Sequence, residues 1–147
     1  MSSRRSLWML AGAAGLHVLE EALLDWRGWA RATSGVAVTW PAFWVLNGAF
    51  LVLAMVAAAV GWRRPVVALA LPALTSINAV FAHIGPTVVL GRFSPGTITA
   101  VLLYLPIAAA VYLRAWRDGL LTARVLLAST ALGAGIMALP VLILALG

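Results

Sequence analysis

The sequence predicts an all-α integral membrane protein: a bundle of five transmembrane helices forming a single domain over residues 1–147. Three observations predict it. Hydrophobic residues make up 64% of the chain and charged residues only 10%. A soluble domain carries about 25% charged residues, so a water-soluble monomer of this composition would lack the polar groups to cover its surface. Charge is absent from four long stretches, 32–62, 65–91, 93–113 and 125–147, each as long as the roughly 17–25 apolar residues that a membrane span needs. The seven Trp (Trp8, Trp26, Trp29, Trp40, Trp44, Trp62 and Trp116) fall at the ends of these runs or between them, as an interfacial aromatic belt does. Cysteine is absent, which excludes a disulfide framework, a thiol nucleophile and Cys-ligated zinc or iron–sulfur clusters.

Helix 1 is predicted near 6–24, where an apolar run meets Glu20 and Glu21 and then continues as Ala22-Leu23-Leu24. Arg4 and Arg5 before this run resemble the start of a signal peptide, but ionisable residues interrupt it and no clear cleavage site follows, so it is read as a retained helix. Residues 25–42 are read as a connection. Helix 2 follows near 43–62. Arg64-Pro65 separates it from helix 3, near 66–90, in which Gly85-Pro86 predicts a kink because Pro86 cannot bond the carbonyl of Ala82. Gly91 and Ser94-Pro95-Gly96 form the turn before helix 4, near 97–116, and Asp118-Gly119 the turn before helix 5, near 122–146. In helix 5, Ala131 and Gly135 make a small-xxx-small pair that favours close packing, within the chain or between two copies as a homodimer.

The net charge is +6. The ten basic residues are all Arg and occur singly or in pairs between apolar runs. A nucleic-acid binder would gather them on one face, so nucleic acid is not an expected partner. Arg4, Arg5, Arg63, Arg64, Arg114, Arg117 and Arg124 fall on one side of the bundle, and Arg27, Arg31 and Arg92 on the other. The positive-inside rule then puts the N-terminus in the cytoplasm, with the bacterial inner membrane as the expected location.

Ionisable residues at membrane depth cost about 2.5–3.5 kcal/mol each, so each needs a reason to be there. His17, Glu20 and Glu21 in helix 1, Asn47 in helix 2, and Ser76, Asn78 and His83 in helix 3 are the candidates. With a rise of about 1.5 Å per residue, all of them fall in the outer half of the bilayer, within a slab about 10 Å thick. Independent polar accidents would scatter in depth, so a shared site is the better explanation. It is expected among helices 1–3 as a polar cavity open to the outer face. His17, Glu20 and Glu21 stack on one helix face at i, i+3 and i+4, and Asp25 extends that face. Asn78 and His83 are five apart, about 140° around an ideal helix; the kink at Gly85-Pro86 is the feature that can bring them together.

His17-Val18-Leu19-Glu20-Glu21 matches the motif that defines the HXXEE family of small bacterial membrane proteins. Asn78 to His83 resembles the family's Asn-to-His segment. Arg92-Phe93-Ser94-Pro95-Gly96, with Thr97 to Ala100 and Leu105-Pro106, resembles its Ser-Pro-Gly loop and the helix after it. The resemblance covers about residues 7–115 and implies membership of a family named for its motif and not for an activity.

Chemistry must therefore come from the residues. The first reading is a metal-dependent enzyme. His17 and Glu21 present two ligands on one helix face and His83 supplies a third. Two His and a carboxylate with an open position suit zinc first, with iron or manganese as further fits. Glu20 is then a general base or an orienting group, and Asn78 or Asn47 binds a substrate oxygen; Ser76 and Asp25 are expected around the site. The reaction would be hydrolysis or lipid modification of an amphipathic, lipid-like substrate. A second reading drops the metal: one of two adjacent carboxylates acts on water while His83 and Asn78 hold an oxyanion. That inventory is similar to the CAAX-type glutamate proteases, with different spacing. A third is a proton- or cation-coupled transporter or ligand-binding protein. A fourth is a structural network in which Arg27 or Arg31 pairs with the Glu residues.

Overall fold

The computed structural model describes residues 3–146, and every regular element in it is helical. Helix α1 (Ser3–Leu23) turns sharply into the short α2 (Trp26–Ser34). Helix α3 (Trp40–Val60) ends in a 3-10 turn, Gly61–Arg63. The third run holds α4 (Pro65–Ile77), a π-helical segment Asn78–Ile84 and α5 (Gly85–Leu90). The fourth holds one turn, α6 (Thr97–Thr99), a second π segment Ala100–Tyr104, and α7 (Leu105–Arg117). Helix α8 (Ala123–Leu146) closes the order. Four runs, Trp40–Arg63, Pro65–Leu90, Thr97–Arg117 and Ala123–Pro140, are long and apolar enough to cross a membrane, and α1 with α2 makes a fifth candidate bent by 68°. The chain is thus an all-helical bundle of membrane-span-like helices.

Local chemistry explains where the elements begin. Asp25 has φ 53, a left-handed conformation that Asp tolerates better than most residues. Its carboxylate accepts from Gly28 N at 3.1 Å and caps α2. The segment read as a plain connection, 25–42, therefore contains a helix. Its apolar stripe is too short to stand out in a search for spans. Helix α3 starts three residues before the expected position because Thr39 caps it, accepting from Ala42 N at 3.3 Å, with a Pro in its first turn. Pro72 sits inside α4 without ending it.

Helix α4 is the most central, packed against α8, α7, α3 and α1, and helix α1 packs against α3, α7 and α4. The buried face of α1, Leu7, Leu10, Ala11, Ala13, Ala14 and Val18, meets Ala54, Ala57 and Ala58 of α3, Ala68 and Leu69 of α4, and Val111 and Ala115 of α7. Alanines let the backbones approach closely, which is how apolar helices gain packing energy in lipid. Helix α8 packs mainly on α4. The small residue in that contact is Gly133, where a Cβ would sit 2.8 Å from Leu74 N and 2.9 Å from Ala70 O. Gly135 has nothing within 4 Å of its would-be Cβ and Ala131 is exposed, so the pair expected to pack closely faces away from the bundle. Trp8, Trp62 and Trp116 lie towards one end of the bundle. Trp26, Trp29, Trp40 and Trp44 lie towards the other, as two aromatic girdles would.

Candidate metal centre

On α1, the i, i+3, i+4 spacing puts His17, Glu20 and Glu21 on one face, pointing at the third and fourth runs. The third run reaches them through its π segment. Hydrogen bonds to the fifth residue back widen the turn, so Asn78 and His83, far apart around an ideal α-helix, both come to His17. Gly85 N–H ends this segment by bonding Val80 O. A Cβ on Gly85 would sit 2.8 Å from that oxygen, so glycine is required there. Pro86 has no N–H for Ala82 O, and Ser94 Oγ donates to that carbonyl instead, at 3.3 Å. The same Oγ lies 3.3 Å from His83 Nδ1. The Gly-Pro irregularity expected from the sequence thus takes the form of a π turn whose freed carbonyl is taken by the next loop.

His17, Glu21 and His83 meet at the centre, with 2%, 7% and 0% of their surfaces exposed. The Nε2 atoms of His17 and His83 are 3.1 Å apart. Glu21 Oε1 lies 3.7 Å from His17 Nε2 and 3.4 Å from His83 Nε2. One ligand atom from each residue falls within 4.8 Å of the others, a group that could hold a metal ion. The imidazoles meet edge to face, with ring centroids 4.6 Å apart.

Glu20 does something different. Its Oε1 accepts from Gly96 N at 3.0 Å and Ile98 N at 3.1 Å, and its Oε2 from Thr99 N at 2.8 Å and Thr99 Oγ1 at 2.6 Å. A carboxylate from α1 thereby caps the start of the fourth run, where free N–H groups favour negative charge. Thr99 Oγ1 is also 2.7 Å from His17 Nδ1. The hydroxyl has one proton; given to the carboxylate, it leaves the oxygen to accept from His17 Nδ1–H. His17 then turns an Nε2 lone pair towards His83 and Glu21.

Gly96 closes the site. Its φ is 102, and a Cβ would lie 2.5 Å from His83 Cε1, 2.7 Å from His83 Nδ1 and 2.8 Å from His17 Cε1. The Ser94-Pro95-Gly96 loop is buried against the histidines. The site lies between α1 and the third and fourth runs, closed over by this loop, and not in an open cavity among the first three predicted helices. Tyr104, fully buried, lies tilted by 31° against the His17 ring with centroids 4.5 Å apart, and its hydroxyl has no hydrogen-bond partner. Asn78 lies beside His17 and donates to Met137 Sδ at 3.8 Å, while its buried Oδ1 has no partner.

The remaining predicted residues are not brought to the cluster. Asn47 donates to Phe43 O of its own helix at 3.1 Å. Asp25 is exposed and caps α2. Ser76 is half-buried and makes none of the cluster's hydrogen bonds. Among the described residues no arginine pairs with Glu20 or Glu21: Arg27 donates to Val38 O at 2.6 Å and stacks over Trp40 at 4.4 Å. Thr99 and Tyr104 carry no role in the sequence pattern, and Ser94 and Gly96 read there as turn chemistry. The available signal was the Thr97-Ile98-Thr99 start of a helix directly after Pro95-Gly96, which offers free N–H groups and a hydroxyl at one level of the bundle.

A family model described as a protein of unknown function with HXXEE motif matches residues 8–111. No curated protein and no solved structure matches the chain.

Proposed function

We propose, from the premise that this chain belongs to the HXXEE family of proteins of unknown function, that it is a metal-dependent enzyme of the bacterial inner membrane. It acts on an amphipathic, lipid-like substrate by hydrolysis or another lipid modification. One observation carries the reading: the triangle of 3.1, 3.4 and 3.7 Å between His17 Nε2, His83 Nε2 and Glu21 Oε1. Tetrahedral zinc with ligands at about 2.0–2.2 Å leaves its ligand atoms about 3.3–3.5 Å apart, so the three edges bracket the spacing that an ion requires. Two imidazole lone pairs facing each other also need a cation or a proton between them. The donor set suits zinc first, and iron or manganese next.

A bound divalent ion would supply Lewis acidity at a position that three protein ligands leave open. The chain's own groups hold it ready. Glu20 orients Thr99, and Thr99 holds the His17 ring and its Nδ1 proton. Ser94 does the same for His83. With both Glu20 oxygens engaged by the fourth run, its role is positioning, in preference to taking a proton from water. Tyr104 Oη and Asn78 Oδ1, buried without partners, are the groups available to a substrate oxygen.

A second reading, proton or cation transfer through the same residues, draws on the 3.1 Å Nε2–Nε2 contact, which is also the length of an N–H···N hydrogen bond. The two are separated in reconstituted liposomes. The enzyme reading predicts lipid products that appear with added zinc, stop with chelator and return with metal. Dissipation of a pH gradient, dependent on Glu21 and with no lipid product, would overturn it in favour of transport.

A further inference from the structure

The arginines are scattered along the sequence, but the fold gathers three of them at the end of the bundle away from the metal-ligand cluster. The side chain of Arg4, in the first turn of α1, lies against Gly61, where α3 gives way to the 3-10 turn Gly61–Arg63. Gly61 has φ 55, and a Cβ there would sit 3.2 Å from Arg4 Nε and 3.5 Å from Arg4 Cγ. A left-handed glycine thus forms the seat of that arginine. Arg63 and Arg64 follow at the same turn and are exposed, as Arg4 is. Among the described residues none of the three pairs with an acid. The chain has four acids. Glu20, Glu21 and Asp25 belong to the other end of α1, and Asp118 is taken by Arg114 at 2.8 Å. Arg4 and Arg64 also stand at helix starts, where cations are unfavourable, and neither first turn holds an acid to offset them. Like charges gathered at such positions call for an anion from outside the chain.

The depth of the three arginines says which anion. Trp8 lies one turn in from Arg4 on the same face of α1, Trp62 precedes Arg63, and Trp116 precedes Arg117. Trp8 and Trp116 are 48% and 67% exposed. Indoles settle at the membrane–water interface, so guanidinium groups a step further out stand among the lipid phosphates. We propose that Arg4, Arg63 and Arg64 bind the phosphodiester of an anionic phospholipid at this turn. Guanidinium forks match phosphate oxygens two at a time. Arg4, already packed on Gly61, gives up less freedom on binding than a free side chain would. Arg117 and Arg124, at the same end, add to the field that draws the headgroup in. The proposal does not rest on the metal centre.

The test is native mass spectrometry of the delipidated protein in detergent, titrated with phosphatidylglycerol or with phosphatidylcholine of the same acyl chains. Phosphatidylglycerol should bind more tightly, since only it brings net negative charge. Each arginine near such a charge is worth about fivefold in affinity. Arg4→Gln should therefore weaken phosphatidylglycerol binding about fivefold, and joint replacement of Arg4, Arg63 and Arg64 by Gln about 100-fold, with phosphatidylcholine little changed. Arg31→Gln, at the other end of the bundle, should alter neither. Gly61→Ala changes no charge but unseats Arg4, and should weaken phosphatidylglycerol binding as Arg4→Gln does. Should that variant fail to fold, Arg4→Lys separates fork from charge and should recover only part of what Arg4→Gln loses. Excess inorganic phosphate should leave the lipid in place. Equal affinity for the two lipids, or a preference that survives the triple replacement, would overturn the proposal. Displacement by inorganic phosphate would overturn it too, in favour of a site for a free anion.

Discussion

Replacing Gly96 with alanine tests the closeness of the loop to both histidines. Two costs add. At φ 102 a residue with a Cβ pays about 1–2 kcal/mol for a left-handed backbone. The new methyl would also lie 2.5 Å from His83 Cε1 and 2.8 Å from His17 Cε1, and such overpacking costs about 1–3 kcal/mol. The sum is about 2–5 kcal/mol. Gly91→Ala is the matched control, because Gly91 has φ 61 but nothing within 4 Å of its would-be Cβ, so only the backbone cost applies. The difference between the variants, about 1–3 kcal/mol, corresponds to a Tm gap of about 2–12 °C at about 2–4 °C per kcal/mol, read by thermal unfolding in detergent. Gly96→Ala should also weaken metal binding, since both rings must move. Equal Tm values for the two variants, with metal affinity retained in Gly96→Ala, would refute the placement of the loop against the rings.

Three further outcomes follow from the same geometry. Glu20→Gln turns an amide towards N–H donors that now meet a carboxylate; it should cost about 2–3 kcal/mol and speed hydrogen exchange at Gly96, Ile98 and Thr99, measured by mass spectrometry. Thr99→Val should lower metal affinity about 10–100-fold by freeing the His17 ring, whereas Thr99→Ser, which keeps the hydroxyl, should restore it in a competition titration with a metal indicator. Gly85→Ala forces a methyl onto Val80 O and should destabilise by about 1–3 kcal/mol, seen as a lower Tm.

The bundle was legible because four charge-free runs and their Arg and Trp boundaries are one-dimensional signals. The α1 half of the centre was legible too, since His17 and Glu21 at i and i+4 share a face on any helix. The other half was not. Asn78 and His83 converge only because a π segment replaces ideal geometry, and Gly85-Pro86 marked the place but not the kind of irregularity. Glu20 could be named but its job could not. Its partners lie 76 to 79 residues away, and no local pattern tells a carboxylate that caps a distant helix from one that waits for a proton. Asn47 and Ser76 illustrate the opposite error, since matching depth says nothing about azimuth, and Asn47 satisfies itself on its own helix. Helix α2 went unseen because a search for spans passes over a short, polar, amphipathic segment.

The claim beneath all of this is that two imidazoles and one carboxylate hold a single divalent ion. The direct measurement is elemental analysis of protein purified without chelator and dialysed against limiting zinc, alongside His17→Ala, His83→Ala and Asn47→Ala variants of verified helicity. The expected result is one metal per chain in the unaltered protein and in Asn47→Ala, and loss in both histidine variants. Metal absent throughout, or retained when either histidine is removed, would contradict the account.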